Sequence, residues 1–376
     1  MNIHLSNKNA ADFKNKAQMA SALALAALLS ACGGGSDGGG GAGTTASSAG
    51  QTGAQPLAAA PPPPMASPNA TIVTNIAAAP SYAAGSEELA AYLLLNAERS
   101  RCGFGLLAAS APLDAAARAH ADYQIINSQY THQEIVSQFP DGFTGADPVA
   151  RVRAQGYTDL GAVSDEIAMF MSSNPAQSKL GFGEKGIRGL LNAPYHLSGL
   201  MSGFRDVGVA VRSNDDTGRG QRAVFVQVNA AHTASAGPQL PGSTDVQTYP
   251  CEGSTGLNRQ LTDETPNPVP GRDLVASPLG STVYIAVRPG NRLTITSAAM
   301  TQAASGQAVM LRKPITSEND PYAASCQQTG CFLPHQGYVV PEAPLLANTA
   351  YTVMLGGTNN GVAFSRSFTF STGSGG

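Results

Sequence analysis

The chain contains no tryptophan, only five cysteines in 376 residues, and just 12% charged residues, against roughly 25% in an ordinary soluble protein. A net charge of −3 with no basic stripe leaves nucleic acid without an electrostatic footprint, which excludes that class of partner. The apolar run Ala17–Leu29 is too short to span a bilayer as a stable helix. A serine nucleophile elbow is found only within the low-complexity stretch, at Gly34-Gly35-Ser36-Asp37-Gly38, where no strand precedes it and no helix follows. A zinc ribbon is disfavoured too, because no second close Cys or His pair accompanies Cys326 and Cys331. What the chain has in quantity is glycine (42) and proline (25), the residues of linkers and turns. Its length accommodates two ordinary domains with real cores.

Lys8, Lys14 and Lys16 precede the apolar run, which ends in Leu29-Ser30-Ala31-Cys32. This arrangement resembles the lipobox of bacterial lipoproteins. The resemblance implies a signal peptide over 1–31, cleavage before Cys32, and lipidation of Cys32. Several acyl chains anchor stably where one would not, at about 0.8 kcal/mol per buried CH₂. Gly33 after the cysteine implies export to the outer membrane or cell surface. Residues 32–85 are mostly Gly, Ala, Ser, Thr and Pro; such a segment buries too little apolar surface to offset chain entropy and is expected to be a disordered tether.

Folded structure is expected from Ser86, a helix cap followed by Glu87 and Glu88. Leu89, Leu93 and Asn96-Ala97 recur at helical spacing, and Gly103 can stop the helix. Pro112 opens a second helix, Asp147-Pro148 a third that ends before Gly156, and Glu184–Leu191 is weakly helical. Val207–Arg212 and Ala223–Asn229 alternate as a half-buried hairpin should. Beyond residue 237 the pattern changes to short strand-like pieces at Val283–Val287, Arg292–Ile295, Ala308–Leu311, Tyr338–Val340, Ala350–Leu355 and Phe364–Phe370. Their spacing between Gly, Pro and Asn turns predicts a β-sandwich over 237–376. The stretch from Pro344 to Thr372 resembles the last strands of bacterial Ig-like modules.

In order along the first region stand Asn96-Ala97-Glu98-Arg99, His132 after the second helix, Ser164-Asp165-Glu166-Ile167, His196, and Phe204-Arg205-Asp206-Val207-Gly208-Val209. Over about residues 86–232 this order resembles the CAP family, the SCP/PR-1-like domain of secreted proteins. The resemblance implies an α+β fold: an α-β-α sandwich over 86–232, followed here by a small all-β Ig-like sandwich. It also implies a cleft where two histidines and an acid converge, carried over as His132, His196 and Glu166, with Asp165 as the alternative acid. A second family Glu falls on Phe143 here, and Glu134 stands at the wrong spacing to replace it. In some family members these side chains hold a divalent metal. His132, Glu166 and His196 are therefore candidate ligands, with zinc the first expectation, because two imidazoles and a carboxylate leave a position for water.

The leading expectation is an extracytoplasmic lipoprotein, anchored in the membrane, that binds a lipid, glycan or protein ligand in this cleft. A metal-dependent hydrolase of peptide or cell-wall material and a structural adhesion protein are the alternatives. His120, on the apolar stripe of the second helix, is expected to be a satisfied core imidazole. His232 and His335 receive no role. Gly181-Phe182-Gly183-Glu184-Lys185-Gly186 fits a glycine-rich phosphate pattern formally, but no βαβ unit surrounds it. Cys102, Cys251, Cys326 and Cys331 are expected to form two disulfides in an oxidising compartment. The favoured pairs are Cys326 with Cys331 and Cys102 with Cys251, but all three connectivities stay open.

Overall fold

The computed structural model describes residues 80–171, 179–217, 223–325 and 331–375. The leader, Cys32, all but the last residues of the expected tether, and Cys326 lie outside them.

Helix α1 (Glu87–Arg101) starts where its cap stands: Ser86 Oγ accepts from the Leu89 N–H at 3.1 Å, with acids in the first turn and arginines in the last. Helix α2 (Ala111–Asn127) carries its proline in the first turn and ends at Ser128, which takes a left-handed φ of 53°. Asp147 caps α3 (Pro148–Ala154), accepting from the Ala150 N–H at 2.7 Å. Helices α4 (Phe182–Leu190), α5 (Pro194–Leu200) and the short α6 (Asn214–Thr217) follow.

The first sheet has the order β1-β3-β4-β2, with β1 (Ala108–Ala109), β2 (Leu160–Met171), β3 (Asp206–Ser213) and β4 (Ala223–Thr233). β4 pairs antiparallel with both β3 and β2, β1 runs parallel to β3, and β2 is an edge. Side chains alternate across this sheet with period two. Val209, Val228 and Ala230 join a cluster with Leu95 of α1, Ile187 of α4 and Leu197 of α5. From the opposite face, Ile167 and Phe225 pack on Ala121 and Ile125 of α2, and Ala231 packs on Leu113 of α2 and Val152 of α3. Helices thus cover both faces, and each fully buried side chain of this size contributes about 1.5–3 kcal/mol. At Gly208 a Cβ would collide with the Leu113–Asp114 backbone, so only glycine lets α2 approach β3 this closely.

Two further four-stranded sheets follow. One runs β5 (Val246–Tyr249), β6 (Val283–Val287), β10 (Gln336–Val339), β9 (Ile315–Thr316); the other runs β12 (Val362–Ser371), β11 (Ala350–Asn359), β7 (Leu293–Gln302), β8 (Ala308–Val309). Val283, Ile285 and Val287 face Val353, Leu355, Phe368 and Phe370 in one cluster. The intervening Tyr284 and Ala286 point the other way, into the cluster of α1, α4 and α5. Strand β6 is therefore buried on both faces, which is why its sequence is apolar without alternation. A single hydrophobic cluster consequently crosses the stretch 232–237, where one domain was expected to give way to the next.

The architecture is α+β, with six α-helices among the described residues. A disulfide joins Cys102 to Cys251, tying the end of α1 to the segment after β5, and Cys331 is also disulfide-bonded. No described helix is long and apolar enough to cross a membrane.

Candidate functional site

Asp165 and Glu166 are neighbours on the edge strand β2, so they project to opposite faces of the sheet. Asp165 turns toward α2 and α3. Its carboxylate accepts from Arg151 Nη2 at 3.1 Å, His132 Nδ1 at 2.9 Å and Gln227 Nε2 at 2.6 Å. With its amide oriented to satisfy both ends, Asn229 donates a further bond at 2.5 Å. Burial opposes the charge on Asp165, but Arg151 and His132 outweigh it and hold the carboxyl well below the usual range. His132 lies on the loop after α2. Arg151 Nη1 donates to its carbonyl at 3.0 Å, and Tyr130 Oη donates to the Ile167 carbonyl at 3.2 Å, which pins this loop against the β2 edge.

Glu166 turns to the face covered by α5. Ser164 Oγ donates to it, and a Cβ on Gly199 of α5 would collide with its carboxylate. Burial raises its pKa, while His196 and then His132 pull it back. His196, on α5, pairs through Nδ1 with Glu264 Oε1 at 2.9 Å. Burial alone would lower the His196 pKa; Glu264, Glu166 and Asp263 reverse this and push it up to about 9. Burial also raises Glu264, whose Oε2 is buried without a hydrogen bond. The His132 and His196 rings lie 6.2 Å apart, centroid to centroid. With both Nδ1 atoms on carboxylates, neither Nε2 has a partner among the described residues.

The four residues named from the sequence, His132, Asp165, Glu166 and His196, lie around the middle of β2, Asp165 on one face of the sheet and Glu166 on the other. Asp165 is the acid hydrogen-bonded to His132, and Glu166, on the other face, interacts electrostatically with His196 and His132. Glu264 was not expected. It comes from the segment after β5, held across α4 and α5 by Asn192 Nδ2 on the Gln260 carbonyl (2.8 Å) and Asn258 Nδ2 on the Arg188 carbonyl (3.2 Å). A groove of about 800 Å³ opens beside His196 and Glu264, with Tyr130, Phe170, Asn258 and Gln260 among its walls.

His120 and Glu134 form a separate, closed pair. His120 Nδ1 meets Glu134 Oε1 at 2.8 Å and its Nε2 meets the Thr131 carbonyl at 2.9 Å, with both side chains fully buried. His120 is a satisfied core imidazole. Glu134 serves it rather than the cleft, and the Thr144 and Gly145 N–H groups donate to its other oxygen. The glycine-rich stretch at 181–186 is occupied from within: Glu87 accepts from the Gly181 and Gly183 N–H groups at 2.8 and 2.7 Å. The amides a phosphate would need already hold a carboxylate.

A metal here would draw on two imidazoles and a carboxylate, His132, His196 and Glu166. Carboxylates that orient both imidazoles through Nδ1 are what metal-bound histidines use. Yet among the described residues no group of three or more His, Cys, Asp and Glu side chains is arranged to hold an ion. His132, Glu166 and His196 do not form a ready cage for zinc.

No family model matches the chain, and no curated protein sequence matches it.

Proposed function

We propose that the chain is a membrane-anchored, extracytoplasmic binding module: a CAP-like α-β-α sandwich followed by an Ig-like β-domain, taking its ligand at the cleft of His132, Glu166 and His196. The observation that carries this reading is the 6.2 Å approach of two histidine rings drawn from separate elements, each braced through Nδ1 by a buried carboxylate and neither with an Nε2 partner among the described residues. His132 is partly exposed and His196 lines the adjoining groove, so both imidazoles lie within reach of a ligand there. Helices on both faces of a β1-β3-β4-β2 sheet support the sandwich, and two sheets sharing one apolar interior support the β-domain. Amide, carboxylate and aromatic side chains in the adjoining groove favour a polar polymer, a glycan or a peptide, over a lipid tail. The anchor rests on Leu29-Ser30-Ala31-Cys32 alone.

Co-sedimentation of the full chain with insoluble cell-wall glycan, beside phospholipid vesicles as the lipid arm, tests this reading. His196→Ala is expected to reduce retention on the glycan several-fold while leaving the melting transition in place. Retention equal in the variant and the parent would remove the cleft from binding. A metal-assisted hydrolase is the second reading, favoured by the carboxylate bracing of both imidazoles. Elemental analysis of protein purified without chelator decides it: stoichiometric zinc, lost in both His132→Ala and His196→Ala, would replace the first reading with the second.

A further inference from the structure

Strand β2 pairs with β4 on one side, and no strand pairs with its other edge among the described residues. In an antiparallel ladder the N–H and C=O of one residue point to the same side, and that side alternates along the strand. Two observations fix the phase. Val209 and Val211 give their N–H groups to Asp114 and Glu88, on the side of β3 away from β4. Their partners Val228 and Val226 therefore bond toward β2, to Glu166 and Ala168. Ile167, between these two, points outward, and its carbonyl accepts from Tyr130 Oη. Met169 and Met171 share the phase of Ile167, and their outward N–H and C=O groups have no backbone partner among the described residues.

The groove of about 800 Å³ straddles this edge. Tyr130 and Met169 line it from the face covered by α2, while Phe170 and Lys185 line it from the face covered by α4. The edge of β2 is thus the floor, recessed between two walls. Such a recess shuts out the edge of a second folded sheet but admits one extended strand, which sits about 4.8 Å from its neighbour. Lys185, exposed on the α4 wall, holds Nζ 4.9 Å from the Phe170 ring and 5.2 Å from the Phe182 ring, with no carboxylate paired to it among the described residues.

We infer that this edge is a docking site for an extended polypeptide segment of a partner protein, added as a further strand beside Met169 with an acidic side chain against Lys185. A polypeptide carries N–H and C=O groups at the strand repeat; a glycan offers hydroxyls at another spacing, and a lipid tail offers none. Phe170 stands about 13 Å along the strand from Glu166. The segment therefore docks beyond the His/Glu cleft, and the inference holds whatever that cleft takes.

The test follows a short, end-capped, fluorescein-labelled peptide by anisotropy on the full chain. The peptide alternates threonine and valine, with one central valine replaced by glutamate, and is expected to bind saturably. Methylating the nitrogen of every second residue removes the donors on one side of the strand. Of the two complementary methylated peptides, one is expected to lose binding and the other to keep it. Met169→Pro removes the outward donor, a change that edge strands tolerate, and should weaken the peptide about tenfold or more. Lys185→Glu should weaken it several-fold, and exchanging the peptide's glutamate for lysine should restore affinity in that variant, which also shows it folded. No saturation in the parent, equal affinity of the two methylated peptides, or full affinity in folded Met169→Pro would each overturn the assignment. A parent that sediments as a dimer, and as a monomer in Met169→Pro, would give the edge to a second copy and overturn it too.

Discussion

Two histidine–carboxylate clusters flank strand β2, built from the same residue types and closed to different degrees. On the α2–α3 side, His120, Glu134, Arg151 and Asp165 interlock until both nitrogens of His120 and the oxygens of both carboxylates are engaged, while Arg151 Nε, 3.9 Å from Glu134, is buried without a hydrogen bond among the described residues. On the α5 side, His196 and Glu264 stop short: among the described residues His196 has a hydrogen bond through Nδ1 only, and Oε2 of Glu264 is buried without one. A closed network specifies a fold, because every member is held by the others. An open one keeps hydrogen-bonding capacity for something that is not part of the chain. His132 belongs to both, since its Nδ1 is bound in the closed network and its ring faces the open one.

The largest expected effect falls on the closed side. Asp165→Ala should cost about 3–5 kcal/mol in urea unfolding, because it strands the buried Arg151 cation; a loss below 1 kcal/mol would show the two sides to be equally dispensable.

Opposite pH limits come next. Asp165 and Glu134 have folded pKa values below their ordinary ones, so their contribution is present above pH 4 and lost as pH falls through the folded values. His196 is raised from 6.5 to about 9. Its contribution is complete below 6.5 and disappears as pH rises through 9, a change on the order of 3 kcal/mol. Stability measured against pH should therefore lose its acid limb in Asp165→Asn and its alkaline limb in Glu264→Gln, each without the other. A common response to both substitutions would collapse the distinction.

Gly199→Ala should displace Glu166 and cost about 1–3 kcal/mol by overpacking, read as a shift in the thermal midpoint. Smallest of all, Glu166→Gln should stay within about 1 kcal/mol of the parent in urea. Burial already disfavours the charge there, and the amide retains the carboxylate's shape.

Helix starts were legible because their signals are local: Ser86 and Asp147 act through their own side chains, and proline marks the first turn of α2. Helix α5 was not, since its seven residues, Pro194–Leu200 with Gly199 among them, carry no sustained period. Strand β2 was hidden for a related reason. Its two faces meet a polar network and an apolar layer in turn, so polar and apolar residues do not alternate cleanly. The same strand geometry explains why choosing between Asp165 and Glu166 was impossible from sequence: adjacent residues serve opposite faces. Glu264 stands 68 residues beyond His196 in a stretch without regular structure. Its only local sign was an acidic pair set before Thr265-Pro266. The shared interior of the two regions also escaped the sequence, because a strand buried on both faces reads as a simple apolar run.

The central claim, that folding brings His196 and Glu264 together across an open cleft, is tested most directly by following the His196 ring resonances through a pH titration. The expected midpoint is about 9 in the parent protein, returning toward 6.5 in Glu264→Gln. A midpoint near 6.5 in the parent, unmoved by that substitution, would contradict it.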